Sequence, residues 1–423
     1  MKRLFWGFRL FLGAALLLLP GQVQAAVEIH PRLTVSEEYN DNIDLVEDKD
    51  EDDDDFITVI SPGILVTYNS AYFVLNGDYS LVYRKYRDHT EEDETEFKDI
   101  QRGLVSGDIL PNHDFSIHVS NEWSRVVIDE RRPSSEENLS ENRTTLSHFI
   151  VNPRYRFRRI PTYELAFDYL YENLRYDAPE GDDYQSHEAG VELTKSFGPR
   201  LSASLGYRFR AYLGDDELEN PDYLRHDAFA GLRIQLGPDL TLSGRGGKAW
   251  LKYDYDETME DREDRYDTLI WSAAAEYRLS GRFVALLEYS EDFTDSVDEG
   301  IVKDREGRLR LNYLGRFPVT LEGFHRRGEY QLTDREEKET GGLLTATVPV
   351  MNRLSLLLGG DYSYHEYEPE GEEVDEYGGR AALELTTRYL TVTLSYAYRE
   401  WDSNLEGESY TNNIAFLSAR LHY

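Results

Sequence analysis

The sequence predicts an all-β chain that closes into an antiparallel transmembrane β-barrel of about 20 strands, with 18 as the alternative count. Three observations predict it. Segments of period-two alternation follow one another from Val27 onward, the connections between them are alternately very short and long and acidic, and the last segment ends on an aromatic residue. A barrel strand needs one face for hydrocarbon and one for a polar interior, and period-two alternation supplies both. The final segment shows it directly. Ala415, Leu417, Ala419, Leu421 and Tyr423 share one side, against Phe416, Ser418, Arg420 and His422. A soluble sandwich edge strand could carry the same pattern, so the case rests on the whole chain.

Residues 1–25 read as a signal peptide. Lys2, Arg3 and Arg9 precede the apolar run Leu10 to Leu19, Pro20-Gly21 breaks it, and Val23-Gln24-Ala25 supplies small residues for cleavage after Ala25, with Ala26 as the alternative. Residues 26–423 are then expected to form a single barrel domain in the outer membrane of a Gram-negative cell. No other apolar stretch approaches 18 residues, which excludes helical spans. The absence of cysteine excludes a lipoprotein anchor and disulfide staples. The 31 tyrosines suit the aromatic girdles of a membrane barrel.

Short connections are expected near Asn69-Ser70, Pro111-Asn112, Ile160-Pro161, Gly198-Pro199, Gly237-Pro238, Ser280-Gly281, Gly315-Arg316, Met351-Asn352 and Arg388-Tyr389. Gly, Pro, Asn and Ser supply the backbone angles of tight turns. Long connections are expected near 41–55, 87–95, 129–142, 177–183, 214–222, 255–264, 296–301, 332–337, 367–375 and 402–409. Both chain ends then lie on the periplasmic, short-turn side. The net charge of −35 concentrates in the long connections, where like charges repel and stay solvated. The same acidity excludes nucleic acid as a partner. Alternation blurs around Phe97 to Leu110 and Leu240 to Leu251, where glycines intervene.

Elsewhere between the turns the two faces separate, with Leu170 on the polar side of its strand as the one clear exception. Leu201, Ala203, Leu205, Tyr207, Phe209 and Ala211 oppose Ser202, Ser204, Gly206, Arg208 and Arg210. Carried along the chain, this alternation assigns Arg84, Arg208, Arg210, Arg233, Arg245, Arg278, Arg308, Arg310, Arg326, Arg399 and Arg420 to the interior. Asp78, Glu164, Asp168, Glu276, Glu288, Glu322 and Asp361 join them. Such a lumen is either an Arg-lined passage able to hydrogen-bond sugars and acidic polymers, or a wet interior whose charges simply pair across strands. No plug-sized segment precedes the first strand, so inward folding of the 41–55 connection is expected to be the one way to constrict the channel.

No catalytic, cofactor-binding or metal-binding set emerges. The ten histidines are scattered, and His226 and His365 read as inward-facing lumen polarity. Glu51 to Asp55 is the densest carboxylate run but lacks the spacing of a calcium loop. The chain is therefore expected not to be an enzyme and to need no cofactor.

Tyr39-Asn40-Asp41-Asn42-Ile43, followed by acidic residues and Phe56 to Ile64 with Ser61-Pro62-Gly63, resembles the amino-terminal region of an outer-membrane β-barrel porin family associated with exopolysaccharide and PEP-CTERM loci. The residues alone read as an interfacial tyrosine leading into an Asn/Asp turn, then a bulged strand where Pro cannot donate. The resemblance implies passage or secretion of exopolysaccharide across the outer membrane. Its partners would be membrane lipid, the polysaccharide, periplasmic export proteins and the outer-membrane insertion machinery. A general or solute-selective porin is the first alternative, and a non-conducting surface barrel the second.

Overall fold

Twenty antiparallel strands form one closed ring in the structure, a computed structural model describing residues 26–49, 53–128, 143–178, 181–214, 221–254, 265–296, 301–333 and 335–423. Segment 1–25, expected to be a signal peptide, lies outside the described residues, as do the 129–142 and 255–264 connections and parts of several others. The strands are β1 (Ala26–Asn40), β2 (Asp55–Asn69), β3 in two segments (Phe73–Leu81 and Tyr83–Tyr86), β4 (Gln101–Ile109) and β5 (Phe115–Val127). There follow β6 (Arg143–Phe157), β7 (Tyr163–Tyr176), β8 (Tyr184–Gly198), β9 (Leu201–Gly214), β10 (Tyr223–Leu236), β11 (Leu240–Tyr253) and β12 (Arg265–Leu279). The ring is completed by β13 (Phe283–Asp295), β14 (Ile301–Tyr313), β15 (Val319–Tyr330), β16 (Glu336–Met351), β17 (Leu354–Glu368), β18 (Glu372–Thr386), β19 (Leu390–Ser403) and β20 (Tyr410–His422).

Each strand pairs with its chain neighbours, and β1 also pairs with β20 from Arg32↔His422 to Asn40↔Ile414. That last ladder removes both sheet edges, which a sheet in lipid requires because hydrocarbon offers no hydrogen-bond partner. All nine expected short turns fall where the sequence places them. Of the glycine-blurred segments, Gln101 to Ile109 and Leu240 to Leu251 lie in strands, β4 and β11, held by unbroken ladders to their neighbours, while residues 97–100 belong to the connection before β4.

The outer face is apolar. Leu205, Leu269, Leu287 and Leu417 are 64%, 68%, 55% and 53% exposed, too much hydrocarbon to leave in water at about 25 cal/mol per Å². Aromatic residues bracket this band. Tyr389–Tyr423 and Phe283–Tyr313 lie near the short turns, while Trp271–Tyr289 and Tyr362–Tyr377 lie toward the long loops. Tyr tips find polar partners there, as Tyr362 Oη donates to Asp375 at 2.5 Å. His226 belongs to this outer girdle, not to the interior. It pairs with Phe209 and sits 2.6 Å from Tyr207 Oη, because odd-numbered Arg225 and Asp227 occupy the opposite face of β10.

Three segments at the long-loop end turn inward. Connection 41–54 buries Ile43 against Ile57, Val59 and Tyr86, and Leu45 against Tyr367, Val374, Trp401 and Tyr410. Connection 87–100 runs back along β3, with Glu94 paired backbone to backbone with Arg84. The third segment is the outer end of β13 and β14. Pairing between β12 and β13 stops at Trp271↔Glu291, yet β12 continues along β11 to Arg265 and β13 along β14 to Asp295. Beyond that fork Phe293 and Ile301 pack on Tyr212, Tyr223, Leu251, Tyr253 and Ile270, which face the interior of β9 to β12. The strand ends thus form a second layer inside the wall, so the 41–55 connection is not the one constriction that the sequence led us to expect.

Ser61-Pro62-Gly63 is not a bulge. β2 keeps one register against β1 throughout, and against both segments of β3. The β2–β3 ladder is instead interrupted opposite Ser61 and Pro62, where β3 breaks at Val82 and its N–H turns to Ile100 O. Proline's missing donor costs least at such a gap. Gly63 leaves room for the Arg32 side chain, whose Nε would lie 2.7 Å from a Cβ there.

Candidate lumenal site

In a closed barrel, side chains from non-neighbouring strands can converge only on the concave side. Several of the expected interior charges do so. Arg32 on β1 reaches over β2 to Asp78 on β3, with one hydrogen bond of 2.9 Å. Arg399 on β19 reaches over β18 to Asp361 on β17 at 2.5 Å and also contacts Glu376 at 3.1 Å. Arg210 spans from β9 to Asp295 on the inward-folded tip at 2.8 Å and lies 3.5 Å from Glu172.

Neighbour pairs fill the intervals. Arg208 meets Glu188 at 2.9 Å, Arg278 meets Glu276 at 2.7 Å, and Arg326 meets Asp304 at 3.1 Å. Glu322 takes both Arg310 at 2.6 Å and Arg308 at 3.3 Å, while Arg308 also holds Glu306. Arg84 is almost wholly buried and pairs with Glu38 at 3.3 Å, and Glu94 beside it binds Arg102 and Arg125. Asp168 lies against Gly190 with Arg154 as its cross-strand neighbour. Arg420 donates to Thr34 Oγ1 at 3.4 Å. Arg233 lines a 340 Å³ recess near the short turns with Asp239, Glu276 and Arg278. Arg245 and Glu288 share a different recess of 510 Å³.

The alternation did not single out Arg225, although it occupies the same odd-numbered face of β10 as Arg233. Arg225 donates Nε to Asp227 at 2.9 Å and Nη1 to the Phe293 carbonyl at 3.0 Å, and it pairs with Asp292. It thereby holds the tip of β13 by backbone and side chain together. A planar guanidinium with several donors is suited to this task.

The Asn/Asp motif after β1 acts at the closure. Asp41 accepts from Asn413 N at 2.6 Å and from its Nδ2 at 2.8 Å. Asn42 Nδ2 donates to Thr411 O at 2.9 Å and Val46 O at 2.8 Å, and its Oδ1 accepts from Val46 N at 3.0 Å. Asn412 Nδ2 reaches Asn40 Oδ1 at 2.5 Å and Asn42 O at 3.0 Å. These buried amides join first strand to last where the β1–β20 ladder ends, a task beyond that of a local turn.

Ring closure, an apolar outer belt between aromatic girdles and a charge-bearing concave face define an outer-membrane β-barrel protein, whose surroundings include membrane lipid. No protein-family model matches the chain, and no curated protein matches its sequence. Solved structures agree on the fold. The siderophore receptor PirA of Pseudomonas aeruginosa matches with a TM-score of 0.51 and 11% identity, over 94% of this chain and 80% of that one. A mutant ferric enterobactin receptor PfeA of the same organism, in complex with enterobactin, gives 0.54 and 11% over 95% and 82%. The FrpB iron transporter of Neisseria meningitidis gives 0.50 and 10% over 93% and 81%.

Proposed function

We propose that this barrel is a conduit for a hydrophilic polymer, the exopolysaccharide implied by the sequence resemblance, passing from the periplasm to the outside. The reading rests on the sequence resemblance, set on a concave face lined with arginine–carboxylate pairs. Paired charges keep the lumen hydrated and alternate donors with acceptors, which is the chemistry a chain of hydroxyl groups can exchange for water. The inward tip of β13–β14 and the turned-in 41–54 connection favour a narrowed passage for one extended chain over a wide diffusion pore. Transport would be passive, with direction set by polymer synthesis and by periplasmic partners at the short-turn rim.

Deletion in the native host, read by secreted polysaccharide and by small-solute uptake, tests the reading. Loss of secreted polymer with unchanged uptake supports it. Unchanged polymer with altered uptake overturns it in favour of a solute porin.

A further inference from the structure

We propose that the recess around Arg245 is a binding subsite for one acidic saccharide unit, a uronate; this rests on the conduit reading and deepens it. The site is built from the wall outward. Phe229 on β10 lies over Gly206 of β9, where a Cβ would be 2.2 Å from the ring, and Gly247 of β11 clears its other flank. On that ring sits the Arg245 guanidinium, its central carbon 3.3 Å from the ring centroid. Stacking holds the guanidinium plane while leaving its edge donors free for a two-point contact with a carboxylate.

Among the described residues Arg245 shares with Arg233 and Arg420 the lack of a carboxylate within ion-pair distance, and of these three it is the one stacked on a ring. Arg208, Arg278, Arg308, Arg310, Arg326 and Arg399 each have a carboxylate within ion-pair distance. Among the described residues none lies within that distance of Arg245, and its buried Nε lacks a hydrogen-bond partner. The rest of the recess suits hydroxyl groups. Ser243, Ser272 and Ser290 are exposed and come together with Glu288 through the registers Ser243↔Ala274, Ser272↔Ser290 and Ala274↔Glu288. Glu306, also in the lining, is occupied by Arg308.

One unmatched cation, one exposed carboxylate acceptor and three free hydroxyls match a sugar ring bearing a single carboxylate. A neutral sugar leaves Arg245 unanswered, and a phosphate brings a second negative charge toward Glu288. The 510 Å³ volume accommodates the ring.

The test is calorimetric titration of the purified full barrel in detergent with trigalacturonate and with neutral galactotriose. The uronate should bind at least about tenfold more tightly, and Arg245→Gln should remove that margin while leaving neutral-sugar binding unchanged. Ser272→Val, which fills the recess, should weaken the uronate equally, whereas Arg278→Gln, outside it, should not. The wild-type comparison needs no variant to fold: equal affinity for the two sugars overturns the subsite, as does unaltered uronate affinity in Arg245→Gln. Planar-bilayer conductance separates the two proposals. A conducting barrel without uronate preference sinks the subsite alone, and a uronate-binding barrel that never conducts sinks the conduit alone.

Discussion

Replacing Asn42 by Ala should loosen the closure of the ring at its long-loop end. The substitution removes three side-chain hydrogen bonds, to Val46 O, Val46 N and Thr411 O, in a position fully shielded from solvent. At about 1 kcal/mol net for each, the latch loses about 3 kcal/mol. Local opening is then expected to become about 100-fold more frequent, since each 1.4 kcal/mol is about a factor of ten. Hydrogen exchange on the folded barrel reads this directly. The amides of Asp41 and Asn413, bonded to Asn413 O and Asp41 Oδ1, should exchange about 100-fold faster, while those of Ile64 and Val66 in the middle of β2 should not change. Asn42→Asp is the sharper control. It keeps the acceptor for Val46 N but turns a carboxylate oxygen toward two carbonyls, and should loosen the seam at least as much. Unchanged exchange at Asp41 and Asn413 in both variants would refute the latch.

Arg225→Ala should leave buried Asp227 unpaired and free the tip of β13, at a cost of roughly 3 kcal/mol. The expected outcome is faster exchange near Phe293 and a larger single-channel conductance; unchanged conductance would show that the tip does not narrow the passage. Leu205→Arg, on the lipid face, should destabilise the barrel by about 2–4 kcal/mol in urea unfolding from vesicles, while Ser204→Arg, one residue away, should cost far less. In the 87–100 connection, burial opposes charge on His89, but its hydrogen bond to Asp55, with Asp44 and Glu91 near, raises its pKa above the ordinary imidazole value. The stabilisation is therefore fully present below the unfolded-state pKa and is lost as pH rises through the higher folded value. Exchange at residues 87–89, corrected for intrinsic rates, should rise across that interval, and His89→Ala should abolish the step.

Fold legibility followed burial demands. Lipid and lumen impose opposite chemistry on alternate residues, so strands such as β9 announce both faces, and turn residues such as Gly237-Pro238 mark the reversals. Where the wall leaves that arrangement, the pattern misleads. Phe293 lies on the face of β13 that carries Leu287 farther down, and by alternation it belongs to lipid; the fork after Glu291 places it inside against Tyr253. His226 failed for the converse reason, a polar residue used on the outer face to bond a girdle tyrosine. The Asn/Asp motif showed turn chemistry locally, but its partners Thr411, Asn412 and Asn413 are some 370 residues away, and only closure brings them together. Interior arginines were legible as a face, while the distinction between paired Arg208 and unmatched Arg245 needed coordinates.

The chain has no cysteine, so single spin-labelled cysteines can map its walls without background. Labels at 204 and 205 on β9, and at 417 and 418 on the closing strand β20, test the ring where its seam is made. Positions 205 and 417 should be relaxed by oxygen dissolved in the bilayer, and positions 204 and 418 by a water-soluble nickel chelate. Equal access of the chelate to both members of each pair would contradict a closed barrel with a hydrated interior.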